Sequence, residues 1–140
     1  MAGPVTARSQ GSIRVDIDAG SHHLIADEPR EVGGTDAGAT PYDFLSAGLA
    51  ACKSMTMQIV AKRENIPLTG IEIKVTNDRM YAKDCADCMS ASGYIHRFTV
   101  EIKLQGDLTD AQRERLKVVA GRCPVAKTLT SEIKIEEVFV

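Results

Sequence analysis

With 140 residues, 44% of them hydrophobic and 26% charged, the chain is long enough to bury one core and too apolar for a disordered tail. A net charge of -2 offers no basic face to a polyanion, so nucleic acid is not an expected partner. Residues 1–10 lack the apolar stretch of a leader, and the longest apolar run is broken by Lys53, Ser54, Gln58 and Lys62, which reads as a cytoplasmic protein of one domain, residues 1–140, with no membrane partner.

Ile13, Val15 and Ile17 alternate with Arg14, Asp16 and Asp18, the period of a half-buried strand, and His23 to Ala26 pairs back after the Ala19-Gly20-Ser21 turn. Asp27 to Ala39 is rich in Gly, Asp and Pro without a period and reads as a loop delivering the chain to a helix. Thr40 is a good N-cap, Pro41 suits the first helical position, and Asp43 is placed for a capping box. From Phe44 to Ala61 apolar and small residues cover nearly the whole circumference, which predicts a central, buried helix ended by Asn65 to Pro67.

Ile71, Ile73 and Val75 predict a further strand, and His96, Phe98, Val100, Ile102 and Leu104 share one face of a longer one that extends the sheet. Thr109 and Gln112 form a second capping-box pattern for a short amphipathic helix stopped at Gly121. Pro124 opens a third helix to about Thr130, and Ile133 to Val140 reads as a closing strand. The order is that of an α+β fold with a mostly antiparallel sheet, a long buried central helix and shorter C-terminal helices. A helix apolar on all sides needs more cover than one such sheet gives, so an intertwined homodimer is expected.

Four cysteines in a chain without a secretion signal point to free, catalytic or metal-binding thiols before structural bridges. Cys123, just before Pro124, takes the N-cap of a helix, where free amides favour a thiolate. Cys52 lies mid-helix, so its spacing alone reads as a buried structural cysteine, and its activation calls for a cation from another segment. Cys85-Ala86-Asp87-Cys88 lies between two strands and is open to three readings: half a zinc site, a redox pair or an incidental turn. The only histidines to complete a metal site are His22, His23 and His96, and the last reads as a core residue on the apolar face of its strand. Met55, a turn beyond Cys52, is a core filler or a substrate-pocket residue.

Asp27-Glu28-Pro29, Gly33-Gly34, Thr40-Pro41-Tyr42-Asp43-Phe44-Leu45, Ala50-Ala51-Cys52 and Arg122-Cys123-Pro124 occur in an order and at separations covering most of the chain. In these segments the sequence resembles the OsmC/Ohr superfamily of osmotically induced and organic hydroperoxide resistance proteins. The resemblance implies the OsmC-like fold and a cofactor-free thiol peroxidase, in which the cysteine matching Cys52 attacks a hydroperoxide and the one matching Cys123 resolves the sulfenic acid. A cellular dithiol or lipoylated protein would return the electrons, and apolar surroundings at the helix, with Tyr42 and Met55 as candidate substrate contacts, would favour organic hydroperoxides.

Peroxidases of the family hold the thiolate with an arginine oriented by a glutamate just after the proline matching Pro41, and Tyr42 stands there in this chain. Asp43 is the candidate replacement, Arg30 the first candidate cation and Arg14 the second. The departure keeps a second reading in play, a catalytically weak redox-sensing or small-ligand-binding protein. The Asp84-Cys85-Ala86-Asp87-Cys88 segment resembles a loop of one OsmC-like subgroup and ranks as an auxiliary redox pair above a metal-binding module, so no metal is expected.

Overall fold

The structure, a computed structural model, describes residues 2–140. The chain forms two compact units that meet in sequence between Leu45 and Ser46.

The N-terminal unit is a three-stranded antiparallel sheet of β1 (Val5–Arg8), β2 (Val15–Ala19) and β3 (His22–Ala26), in that spatial order. Gly20, at φ 62°, makes the turn that sets Ala19 opposite His22 and Val15 opposite Ala26. Across the sheet Asp18 accepts from Arg8 at 2.9 Å and lies 3.0 Å from His23 Nδ1. Strand β1 was not expected from the sequence, since Val5-Thr6-Ala7-Arg8 is short and all four of its residues are exposed.

The loop after β3 is organised by one carboxylate. Asp27, 2% exposed, accepts from the Thr35 hydroxyl at 2.7 Å and from the amides of Glu28, Ala37 and Thr35 at 2.8, 3.1 and 3.2 Å. These bonds, with the Thr35 hydroxyl foremost, hold its pKa down to about 2. The loop folds so tightly that a Cβ at Gly34 would overlap the Glu28 carbonyl oxygen and one at Gly38 the Ile25 carbonyl oxygen.

Helix α1 (Pro41–Arg63) starts in this unit and continues into the next. Its capping box is formed: the Asp43 amide donates to Thr40 Oγ1 at 3.3 Å, and the Thr40 amide donates to Asp43 Oδ2 at 3.0 Å. It ends where Asn65 takes φ 55° and the Ile66 amide returns to the Ala61 carbonyl at 2.8 Å.

In the C-terminal unit β4 (Gly70–Tyr81) and β5 (Tyr94–Gln105) form a long hairpin, followed by α2 (Asp110–Ala120) and α3 (Pro124–Leu129). The core joins Met57, Val60, Ala61 and Ile66 to Leu116, Val119 and Ala120, with Ile71, Ile73 and Leu104 packed against it. The Thr109 and Gln112 capping box starts α2. Arg115 on α2 holds Glu64, just past the end of α1, through both carboxylate oxygens at 2.6 to 3.2 Å.

The expected single sheet is corrected to two, because among the described residues β4 and β5 pair only with each other. The expected closing strand over Ile133 to Val140 does not form among the described residues. That segment stays unpaired although both sheets have open edges, and Ile135, Val138 and Phe139 are 79%, 83% and 96% exposed. His96 keeps the parity of Phe98, Val100 and Leu104 but is exposed, since it lies on the outer half of the hairpin, past the core.

In the single chain α1 is covered on one side only. Leu49, Met57, Val60 and Ala61 are buried, whereas Met55 and Ile59 are 63% and 64% exposed. By length and composition α1 passes for a bilayer-crossing segment, yet Met57, Val60 and Ala61 belong to the core.

Candidate functional site

Cys52 and Cys123 are 71 positions apart in the chain, and the C-terminal unit brings their thiols close enough for each to perturb the other's acidity. Both are free thiols, Cys52 half-buried on α1 and Cys123 fully buried at the N-cap of α3. Pro124 occupies the first helical position, where its missing N–H is no loss, and the amides behind it turn towards the two sulfurs. The Ala126 amide donates to Cys123 Sγ at 3.5 Å, and the Val125 amide reaches Cys52.

The two thiols are driven apart in acidity. Burial opposes ionisation of Cys52, but the hydrogen bonds from the Cys123 thiol and the Val125 amide, the Thr56 hydroxyl and the Lys53 charge together move its pKa down. Burial pushes the Cys123 thiol up, and the charge forming on Cys52 pushes it further. The two shifts favour the anion at Cys52 and the neutral thiol at Cys123. The expectation that the N-cap would acidify Cys123 is therefore corrected: complete burial outweighs its cap amides, and Cys52 gains the acidity.

Two residues overlooked in the sequence complete the surroundings. Lys53 donates through Nζ to the Ala120 carbonyl at 2.8 Å, at the end of α2, two residues before the Arg122-Cys123 step. It thereby ties the α1 residue beside Cys52 to the segment that presents Cys123 while placing a positive charge near the thiolate. Thr56 donates its hydroxyl to the Cys52 carbonyl at 2.7 Å, and its side chain is among the groups that lower the Cys52 pKa. The i,i+4 spacing of Cys52 and Thr56 on a predicted helix could have pointed to the threonine, whereas Lys53 was not legible, since a lysine adjacent in sequence on a helix normally points away from its neighbour.

The remaining candidates fall elsewhere. Met55 is exposed one turn after Cys52. Arg30 opens the short helical turn Arg30–Val32, Tyr42 sits half exposed at the start of α1, and the Asp43 carboxylate is engaged in the capping box, all three within the N-terminal unit. Arg14 pairs with Asp16 at 3.2 Å. Cys85 and Cys88 form a disulfide beyond the far end of the hairpin, with Cα atoms 5.5 Å apart, and Asp87 Oδ1 lies 3.3 Å from Cys85 Sγ.

Comparison with known families matches residues 34–138 to the OsmC-like protein pattern, which takes in both Cys52 and Cys123. The chain belongs to the OsmC-like protein family. Organic hydroperoxide resistance protein OhrA of Bacillus subtilis (strain 168) is 30% identical to this OsmC-like chain over 95 residues, 68% of the chain. The match spans 62% of that protein's length. Among solved structures, an OsmC-like protein from Mycoplasma pneumoniae superposes with a TM-score of 0.71 at 21% identity, covering 90% of this chain and 85% of that one. The organic hydroperoxide resistance protein OhrB of Bacillus subtilis does so with a TM-score of 0.61 at 25% identity, covering 91% and 89%. The α+β architecture with antiparallel sheets and helices is thus that of its OsmC-like neighbours.

Proposed function

We propose that this protein is a thiol peroxidase that reduces organic hydroperoxides through Cys52 and Cys123. The observation that carries the reading is the pairing of Cys52, whose pKa is lowered, with the buried free thiol Cys123, whose pKa is raised. A Cys52 thiolate attacks the distal oxygen of ROOH, the O–O bond breaks, and the alkoxide takes up a proton and leaves as ROH, so Cys52 becomes a sulfenic acid. The Cys123 sulfur then attacks the Cys52 sulfur, and its proton leaves with the hydroxyl as water, closing a disulfide. An external dithiol, free or carried as a lipoyl group, reduces that disulfide by two exchanges and restores both thiols.

The substrate class rests on the family and on the name of the Bacillus relative, an organic hydroperoxide resistance protein. The exposed Met55 side chain beside Cys52 supplies apolar surface for an alkyl group, with Tyr42 as a further contact. The uncovered face of α1, with Met55 and Ile59, and the unpaired Ile133 to Val140 segment support a homodimer in which a second copy covers both.

A second reading, a redox-sensing or ligand-binding protein with weak catalysis, is favoured by one observation. The carboxylate nearest the expected glutamate position, Asp43, is committed to the helix cap. Turnover separates the two. Repeated reduction of cumene hydroperoxide with dihydrolipoamide as regenerant, lost in Cys52→Ser, supports the peroxidase. A single stoichiometric oxidation without turnover supports the sensor.

A further inference from the structure

The β4–β5 hairpin pairs twelve residues on each strand, from Gly70 opposite Gln105 to Tyr81 opposite Tyr94. Its base packs against the core through Ile71, Ile73 and Leu104. The run from Ile73 to Tyr81 carries the tip about 27 Å further at the rise of an antiparallel strand. Cys85 and Cys88 sit in the loop that closes this arm, both half-buried between exposed neighbours, and their sulfurs are joined.

The bridge is not the loop's sole fastening. Tyr81 and Tyr94 stack with ring centroids 4.7 Å apart directly beneath it, and Arg79 and Lys83 lie 5.1 and 5.3 Å over those rings. Arg97 grips Asp78 through two nitrogens at 2.9 and 2.6 Å. The Ala82 amide closes onto the Gly93 carbonyl at 2.8 Å, and the Cys85 amide onto the Ala82 carbonyl at 3.1 Å. A disulfide between positions three apart also constrains the unfolded chain far less than one closing a long loop. A bridge that is accessible, flanked by other fastenings and closing a minimal loop is placed for exchange rather than for stability.

We propose that Cys85 and Cys88 form a second thiol–disulfide exchange centre, displayed at the end of the hairpin, that takes two electrons from an external dithiol independently of Cys52 and Cys123. The first thiolate of the dithiol attacks one sulfur of the bridge and forms a mixed disulfide, releasing the other cysteine as a thiolate. The second thiolate then attacks the mixed disulfide, leaving the carrier oxidised and the second cysteine released. The two protons given up by the dithiol end on Cys85 and Cys88. Asp87 faces Cys85 Sγ at 3.3 Å, so the reduced Cys85 thiol has an acceptor for its proton. Run backwards, the same steps deliver two electrons to a disulfide.

The competing chemistry is metal binding, since Cys85, Cys88 and Asp87 offer three ligand atoms within 4.8 Å of one another. The joined sulfurs favour exchange.

The test uses the full chain carrying Cys52→Ser and Cys123→Ser, so that its result stands whether or not the peroxidase reading does. The protein is equilibrated with mixtures of dihydrolipoamide and lipoamide, quenched in acid, alkylated and mapped by peptide mass. The proposal expects two thiols per chain to appear at Cys85 and Cys88 as the dihydrolipoamide share rises, to disappear on reversal, and to do so with unchanged circular dichroism. It is overturned if a hundredfold excess of dihydrolipoamide reduces the pair only in denaturant. It is equally overturned if the protein as isolated carries one zinc per chain that Cys85→Ser removes. A Cys85→Ser, Cys88→Ser double variant that fails to fold also contradicts it, because the remaining contacts would then be too weak to hold the hairpin.

Discussion

Replacing Cys123 by alanine removes the thiol that donates to Cys52 and leaves the α3 amides otherwise in place. A hydrogen bond to a charged acceptor contributes about 1.5 to 3 kcal/mol, and the lower figure applies to a sulfur pair whose acceptor is half exposed. About 1.4 kcal/mol corresponds to a factor of ten in thiolate population. Alkylation of Cys52 by iodoacetamide, followed on the Cys52 peptide at pH 7, should therefore be about tenfold slower in Cys123→Ala than in the unaltered protein. Cys123→Ser supplies the internal control, since its hydroxyl keeps a donor towards Cys52 and is a good N-cap. The serine variant should alkylate within about threefold of the unaltered rate, the hydrogen bond being preserved. Equal rates for the alanine variant and the unaltered protein would refute the claim that Cys123 sustains the Cys52 thiolate.

Lys53→Met loses both the Nζ bond to the Ala120 carbonyl and the charge beside Cys52, so Cys52 alkylation should slow several-fold, while Lys53→Arg retains most of the rate. Arg30→Ala, compared in the same assay, reports whether the loop arginine adds to that field. For Asp27 the folded pKa, about 2, lies below the ordinary carboxylate value, so its contribution is present above about pH 4 and is lost as pH falls through 2. The stability difference between the unaltered protein and Asp27→Asn should accordingly be constant from pH 5 to about 7 and shrink towards zero near pH 2 in urea titrations. Leu116→Ala, at a side chain with no exposed surface in the C-terminal core, should lower unfolding stability by about 2 to 5 kcal/mol, and a loss below 1 kcal/mol would contradict the packing described.

Local chemistry was legible wherever a few adjacent residues decide the outcome. Thr40 with Asp43 and Thr109 with Gln112 start their helices through reciprocal capping boxes, Gly20 turns the first hairpin, and Pro124 opens α3, each as its side-chain chemistry dictates. What could not be read depends on partners distant in sequence. Ile133 to Val140 has the pattern of a strand, but among the described residues it pairs with none of the open sheet edges, and its large apolar side chains stay exposed. The circumference of α1 is apolar on all sides, yet a helix covered from one side leaves Met55 and Ile59 outside.

The acid–base order of the two central thiols was misread for the same reason. N-cap geometry at Cys123 is a local signal, but burial and the second sulfur are tertiary facts, and they reverse its sign. The environment of Cys52 comes from Val125 across the fold and from Lys53, whose reach to Ala120 depends on where α2 ends. The Cys85 and Cys88 pair stood out in the sequence, while its place at the end of a twelve-residue arm follows only from the hairpin register.

The most direct measurement is to reduce the protein without oxygen, add one equivalent of cumene hydroperoxide, quench at early times and map all four cysteines by peptide mass. The account predicts a Cys52 to Cys123 disulfide formed as the peroxide is consumed, with a sulfenic acid at Cys52 when Cys123 is replaced by serine and no peroxide consumption in Cys52→Ser. Peroxide that persists while both thiols remain reduced contradicts it.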